Sequence, residues 1–188
     1  MASISLKYKS KQGNLTAPGD VDPGAMIPIA TVTVGSGGQA SVEFTSIPQY
    51  YEHLQVRFMG RSTGAPDTKM QFNGDTTTTN YRTHTVYGDG SSTTAASFAN
   101  TAYIGYIATA TSTFGVGVAD ILDYANTNKY KTTRSLAGYD ANGSGFAILY
   151  SNLWMSTSAV TSIKIYPDSG SFSQYSSFAL YGIKRAGA

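Results

Sequence analysis

Residues 51–59 read Tyr51-Glu52-His53-Leu54-Gln55-Val56-Arg57-Phe58-Met59, with Leu54, Val56 and Phe58 alternating with Gln55, Arg57 and Met59. Successive side chains of a β-strand point to opposite faces, so this spacing predicts a strand with one face turned to a core. Similar segments lie on both sides. Ile27 to Val34 is rich in β-branched residues and stops at Gly35-Ser36-Gly37-Gly38, a strong turn signal. Val42 and Phe44 alternate within Ser41-Val42-Glu43-Phe44. Further strands are predicted at Lys69 to Phe72, Tyr81 to Tyr87, Tyr103 to Ala108, Phe114 to Tyr124, Tyr130 to Gly138, Phe146 to Ser151, Val160 to Tyr166 and Ser177 to Ile183.

Turn residues separate these segments. Asn73-Gly74 suits a tight turn that needs positive φ. Gly88-Asp89-Gly90-Ser91-Ser92 and Tyr139-Asp140-Ala141-Asn142-Gly143-Ser144-Gly145 are longer punctuation, and the polar run between Asp123 and Lys131 predicts a hairpin. The last strand is apolar on both faces, which predicts a buried central place in its sheet. Ser92 to Asn100 is the one window with helical character. No period of about 20–50 residues recurs, which excludes solenoids and propellers. Many short strands with almost no helix predict an all-β fold, a jelly-roll-like two-sheet β-sandwich. An immunoglobulin-like sandwich would be shorter, near ~100 residues.

Composition agrees. The chain has 188 residues, 13% charged and 41% hydrophobic, with 45 Ser and Thr, 20 Gly, 14 Tyr and no cysteine. This excludes a disulfide scaffold, a thiolate nucleophile and a highly charged disordered chain. No apolar run approaches the ~20 residues that span a bilayer, and residues 1–12 lack the apolar stretch of a signal peptide. The expectation is a soluble chain made in the cytoplasm.

Charge is unevenly distributed. Lys7, Lys9 and Lys11 lie in the first thirteen residues without an acid, and Lys184 and Arg185 lie near the end. Positions 14 to 183 hold 8 basic and 11 acidic residues, a net of −3. A nucleic-acid binder would usually show a basic body, so no nucleic-acid partner is expected. In residues 3–9, Ile4, Leu6 and Tyr8 alternate with Ser5, Lys7 and Lys9, and a Pro/Gly-rich stretch follows. Residues 1–26 therefore read as an extended N-terminal arm and linker, and residues 27–188 as the sandwich body. The arm strand either folds back onto its own sheet or adds to a neighbouring chain's sheet edge, and the tether favours the neighbour.

Catalysis has little material. His53 and His84 are the two histidines, and neither has metal-ligand spacing to Glu52 or Asp75. No nucleophile elbow, Walker loop or EF-hand-type calcium loop is present. Asp120 and Asp123 lie three apart, which on a strand places them on opposite faces rather than as an acid/base pair. No enzyme activity, metal or cofactor is expected. Tyr50, Tyr51, Tyr81, Tyr87, Tyr103, Tyr106, Tyr124, Tyr130 and Trp154 could line a carbohydrate site, but core or subunit interface is the preferred assignment. The polar flank of Trp154 places it where a loop covers the sandwich end.

Several phrases stand in a fixed order: Ile47-Pro48-Gln49-Tyr50-Tyr51-Glu52-His53-Leu54; Phe72-Asn73-Gly74-Asp75 with Asn80-Tyr81; Asp120-Ile121-Leu122-Asp123-Tyr124-Ala125-Asn126-Thr127-Asn128-Lys129-Tyr130-Lys131; Leu153-Trp154 before Ala159-Val160-Thr161-Ser162-Ile163; and Leu180-Tyr181-Gly182-Ile183. As an ordered set they resemble a family of tailed-bacteriophage virion proteins, frequent in phages of cyanobacteria and other aquatic bacteria. The resemblance runs from Ile27 to Lys184 and implies a structural protein of the particle, with no catalytic residues to carry over. Members are capsid decoration or cement proteins, or appendage and tail-fibre proteins. The expected function is capsid cement: a homotrimer on the outer capsid surface that bridges capsomers, with the major capsid protein and its own copies as partners and no membrane. Ile4, Leu6, Lys7, Tyr8, Lys9 and Lys11 of the arm are the expected partner-binding residues. The alternative is a tail or head fibre or appendage that binds host surface glycan.

Overall fold

A computed structural model describes residues 24–185 of the chain. Among them are twelve strands, one short 3-10 turn at Thr78–Asn80 and no α-helix. The strands are β1 Met26–Thr33, β2 Val42–Phe44, β3 His53–Gly60, β4 Asp67–Phe72, β5 Tyr81–Gly88, β6 Thr93–Ala99, β7 Tyr103–Tyr106, β8 Gly115–Ile121, β9 Lys131–Asp140, β10 Gly145–Trp154, β11 Ile163–Pro167 and β12 Ser177–Ile183. They form two antiparallel sheets packed face to face. The large sheet has the order β1-β12-β3-β8-β9-β10-β5-β6, and the small one β2-β11-β4-β7.

The predicted sandwich is present, and its winding is that of a jelly roll with additions. Strands β2, β11, β4 and β7 form one layer, and β3, β10, β5 and β6 supply the jelly-roll strands of the other. The β8–β9 hairpin is inserted between β3 and β10, and β12 and β1 extend the large sheet beyond β3. Pro28 is tolerated because β1 is an edge strand, and the pairing with β12 slips between Pro28 and Ala30.

The alternation in β3 works as read. Leu54, Val56 and Phe58 are buried, while Gln55, Arg57 and Met59 face outward. They meet Phe178 and Leu180 of β12, Ala119 and Ile121 of β8, and Val42, Phe44, Met70, Phe72, Ile163 and Ile165 of the small sheet in one core. Each of these larger aliphatic or aromatic side chains contributes roughly 1.5–3 kcal/mol on full burial. The Phe58 ring needs space that a side chain would take away: a Cβ on Gly117 would lie 2.2 Å from it, and one on Gly105 2.7 Å.

Two expectations are corrected. Residues 93–99 form edge strand β6, not a helix. Asp89 accepts from the backbone N–H of Ser91 and Ser92 at 2.8 and 2.7 Å, which closes a tight turn and aligns Thr93–Ala99 with β5. Strand pairing outweighs the weak helical preference of the alanines. The closing strand β12 lies between β1 and β3 but is buried on one face alone. Phe178, Leu180 and Gly182 point inward, and Tyr181 sits on the outer face 5.9 Å from the Arg57 guanidinium.

The inner face of the large sheet also carries polar residues that periodicity cannot explain. Thr83 donates to Asn152 Oδ1 at 2.6 Å or to the carbonyl of Thr101 at 2.9 Å. Asn152 Nδ2 donates to the Tyr103 carbonyl and to Thr133 Oγ1 at 2.9 and 3.0 Å. Ser135 donates to the Ile104 carbonyl. These groups bind the backbone of β7 from across the sandwich, so their burial leaves few orphaned polar atoms.

Candidate functional site

The expected arm residues Ile4, Leu6, Lys7, Tyr8, Lys9 and Lys11 lie outside the described residues. Three regions of the described body have the geometry of a site: the outer face of the large sheet, an aromatic cavity at its β6 end, and a polar cluster around His53.

Strand register builds the outer face. Val118, Leu136, Leu149, Val86 and Ala95 pair in sequence across β8, β9, β10, β5 and β6. At the usual strand spacing this row is about 19 Å long. Met59 and Val116 lie beside it. Leu136 is 58% exposed and Val116 55%. The next row is polar: Gln55, Asp120, Arg134, Ser151, His84 and Ser97. Gln55 Nε2 donates to Asp120 at 2.8 Å. An apolar band bordered by a polar one, on a face with no second layer among the described residues, has the character of a contact surface. Sequence reading assigned the inward residues of these strands and left the outward apolar ones without a role. Their alignment depends on register across five strands.

The aromatic cavity lies between the two sheets, where β5, β6 and β10 project beyond β7. It has a volume of about 210 Å³. Tyr87, Tyr103 and Tyr106, three of the sequence candidates, meet there with Phe98, Phe146 and Tyr150. The rings are tilted against one another: Phe98 and Tyr103 at 86°, Tyr87 and Phe146 at 59°, Tyr106 and Phe146 at 59°. Asp67 joins the lining from the start of β4. Burial, then the charge of Asp168, push the Asp67 carboxyl up, with Lys69 opposing. Burial pushes the Tyr150 hydroxyl strongly up.

The other aromatic candidates have different places. Tyr81, Tyr124 and Trp154 belong to the core, as preferred from sequence, and Tyr50 and Tyr130 are exposed elsewhere. Trp154 sits at the sandwich end as expected, against Phe72 and under the residue 73–80 connection. Phe98, Phe146, Tyr150 and Asp67 were missed, because their convergence comes from three strands distant in sequence, β6, β10 and β4.

The polar cluster brings Glu52, His53 and Asp123 together, with one ligand-type atom from each within 4.8 Å of the others. Internal partners already engage these groups. His53 Nδ1 accepts from the backbone N–H of Asp123 at 3.0 Å, Lys129 pairs with Asp123, and Arg185 Nε lies 3.4 Å from Glu52. Lys129, then His53 and Arg185, hold the Asp123 carboxyl below its ordinary range against the opposing effect of burial. The cluster therefore acts as a clasp on the β8–β9 turn. Asp123 lies beyond the end of β8, so the opposite-face argument does not apply to it; Asp120 accepts from Gln55, and Asp123 pairs with Lys129 beside His53. His84 lies on the outer polar row, apart from His53. Among the described residues no helix is long and apolar enough to cross a membrane.

Comparison with protein-family models and with curated proteins finds no match.

Proposed function

We propose that the chain is a structural subunit of a tailed-phage virion, a capsid cement protein that binds the outer capsid surface as a homotrimer and bridges capsomers. The reading rests on the ordered phrases that resemble that family. The observation that carries it is the apolar band across β8, β9, β10, β5 and β6, with Leu136 and Val116 more than half exposed. Covering such a band against a neighbouring subunit contributes roughly 25 cal/mol per Å² of apolar surface. Without cysteine, these contacts are noncovalent. The role requires no catalytic group. Jelly-roll sandwiches occur in both capsid and lectin domains, so the fold does not choose between roles. The arm, with Ile4, Leu6 and Tyr8 on one face and Lys7 and Lys9 on the other, would reach the adjoining capsomer.

The aromatic cavity favours a second reading, a fibre or appendage protein that binds host surface glycan. The position and copy number of the protein in an image of the virion separate the two. Hundreds of copies on the head support cement. A dozen copies on the tail or a fibre would replace that reading with the second.

A further inference from the structure

The lining of the aromatic cavity includes one carboxylate, that of Asp67. The Asp67 carboxylate makes no ion pair and no hydrogen bond to another side chain among the described residues. Lys69, the cation that acts on it electrostatically, makes its direct ion pair with Asp168 instead. A half-buried carboxylate beside aromatic faces is unfavourable by itself, because burial disfavours its charge and the negative ring faces do not offset it.

A cation would correct this. Aromatic faces attract cations within about 6 Å, most strongly where water is excluded. Tyr103 already has this relation to the protein's own Lys69 Nζ, which lies 5.6 Å from its centroid. The steep angles between the rings matter as well. A sugar favours a flat ring face with several polar groups at its edge. Neighbouring rings of the lining meet at 41–86°, so they offer no single flat platform and suit a compact convex group better. The Thr85 hydroxyl, another polar group of the lining, already donates to the Leu149 carbonyl at 2.9 Å.

We infer that this cavity binds a methylated ammonium group, of the choline or trimethyl-lysine kind, with Tyr87, Phe98, Tyr103, Tyr106, Phe146 and Tyr150 as the cage and Asp67 as its counter-charge. The inference does not depend on the virion reading. A quaternary ammonium cannot donate a conventional hydrogen bond, so recognition rests on ring faces and one carboxylate, which is what the lining offers. Such groups occur as substituents of cell-surface polymers and lipids and on modified proteins, and the shared chemistry is the trimethylated nitrogen.

The test is ligand-observed NMR on the full chain with choline, its neutral isostere 3,3-dimethylbutanol, and free glucose and galactose. Choline should bind, with its N-methyl resonance shifted upfield by the ring currents. The neutral isostere should bind about tenfold more weakly. Asp67→Asn should weaken choline about tenfold, and Phe98→Leu should reduce the upfield shift, with thermal melting showing each variant folded. The isostere comparison uses the unmodified chain, so misfolding of a variant leaves the test intact. Equal binding of the isostere would overturn the inference, as would binding of a hexose without choline or no choline binding at millimolar concentration. Choline binding would leave the position on the virion to be decided by imaging.

Discussion

The indole Nε1 of Trp154, the last residue of β10, donates to an Asp75 carboxylate oxygen at 2.7 Å. The same carboxylate accepts from Asn80 Nδ2 and from the Thr77 backbone N–H, both at 2.9 Å. It thereby anchors the connection between the two sheets to the end of the core, where Phe72 packs on the indole. Burial pushes the Asp75 carboxyl up, but the hydrogen bonds from Asn80, Trp154 and Thr77 outweigh it and hold it below its ordinary value. A depressed folded-state pKa means that the stabilisation is present above the unfolded-state value and is lost as pH falls through the folded one. Asp75→Ala should cost about 1–3 kcal/mol near neutral pH, since it leaves the indole N–H of buried Trp154 unpaired. Denaturant melts should show that cost shrinking at pH values below the ordinary carboxylate range. A pH-independent difference would contradict the assignment.

The close approach of Gly117 to Phe58 predicts that even one methyl is too much. Gly117→Ala places a Cβ within 2.2 Å of a ring that is also packed against Phe178. Overpacking of this kind costs about 1–3 kcal/mol. Urea unfolding should show the loss, and Phe58→Leu in the same chain should recover part of it.

Alkaline pH should destabilise the fold through its buried phenols. Burial pushes Tyr81 up to about 12, with the Phe72 N–H opposing, and raises Tyr150 further. The unfolded chain ionises its tyrosines near pH ~10, so their contribution is complete below that value and lost above it. Lys131 works in the opposite sense, because burial, with Lys129, holds its folded-state pKa below the ordinary value. Among the described residues seven phenols are raised and one amine is lowered, which gives net loss above pH ~10. Absorbance near pH ~11 should show fewer ionised phenols in the native protein than in denaturant, and Tyr150→Phe should narrow that difference.

Lys131 offers a separate test. Its ammonium is 0% exposed and donates to the carbonyls of Asn126, Lys129 and Thr157 at 2.6, 2.9 and 3.2 Å. It joins the β8–β9 turn to the loop after β10 without a direct carboxylate partner among the described residues. Lys131→Met keeps the stem and removes the donors, so it should destabilise by about 1–3 kcal/mol. Hydrogen exchange should locate the loosening at residues 123–131 and 155–160.

The outer apolar band should matter for assembly and little for folding. Leu136→Glu changes an exposed residue, so stability should move by no more than about 0.5 kcal/mol. If the chain forms the proposed trimer, sedimentation velocity should show its loss in this variant. An unchanged oligomer would remove the band from the assembly interface. If the chain is the proposed cement protein, deletion of residues 1–13 should weaken its attachment to capsids, and attachment of the full chain should weaken at high salt if Lys7, Lys9 and Lys11 contribute.

The alternation of Leu54, Val56 and Phe58, the turn signal at Asn73-Gly74 and the hairpin between Asp123 and Lys131 were legible in the linear chain. Each is a local matter of side-chain direction or backbone conformation, and Asn73 and Gly74 both adopt the positive φ that was expected. These features determined an all-β sandwich. Other features depended on which strands lie side by side. Register placed Leu136 beside Leu149 and Val118, the sheet overhang made a cavity from Tyr87, Phe98, Tyr103 and Tyr150, and packing buried Lys131 among carbonyls. Residues 93–99 became a strand for the same reason: β5 offered an edge, and long-range pairing outweighed a weak local preference. Local chemistry sets the direction of each side chain, whereas the neighbours it meets across a sheet come from contacts distant in sequence, and those contacts formed both candidate surfaces.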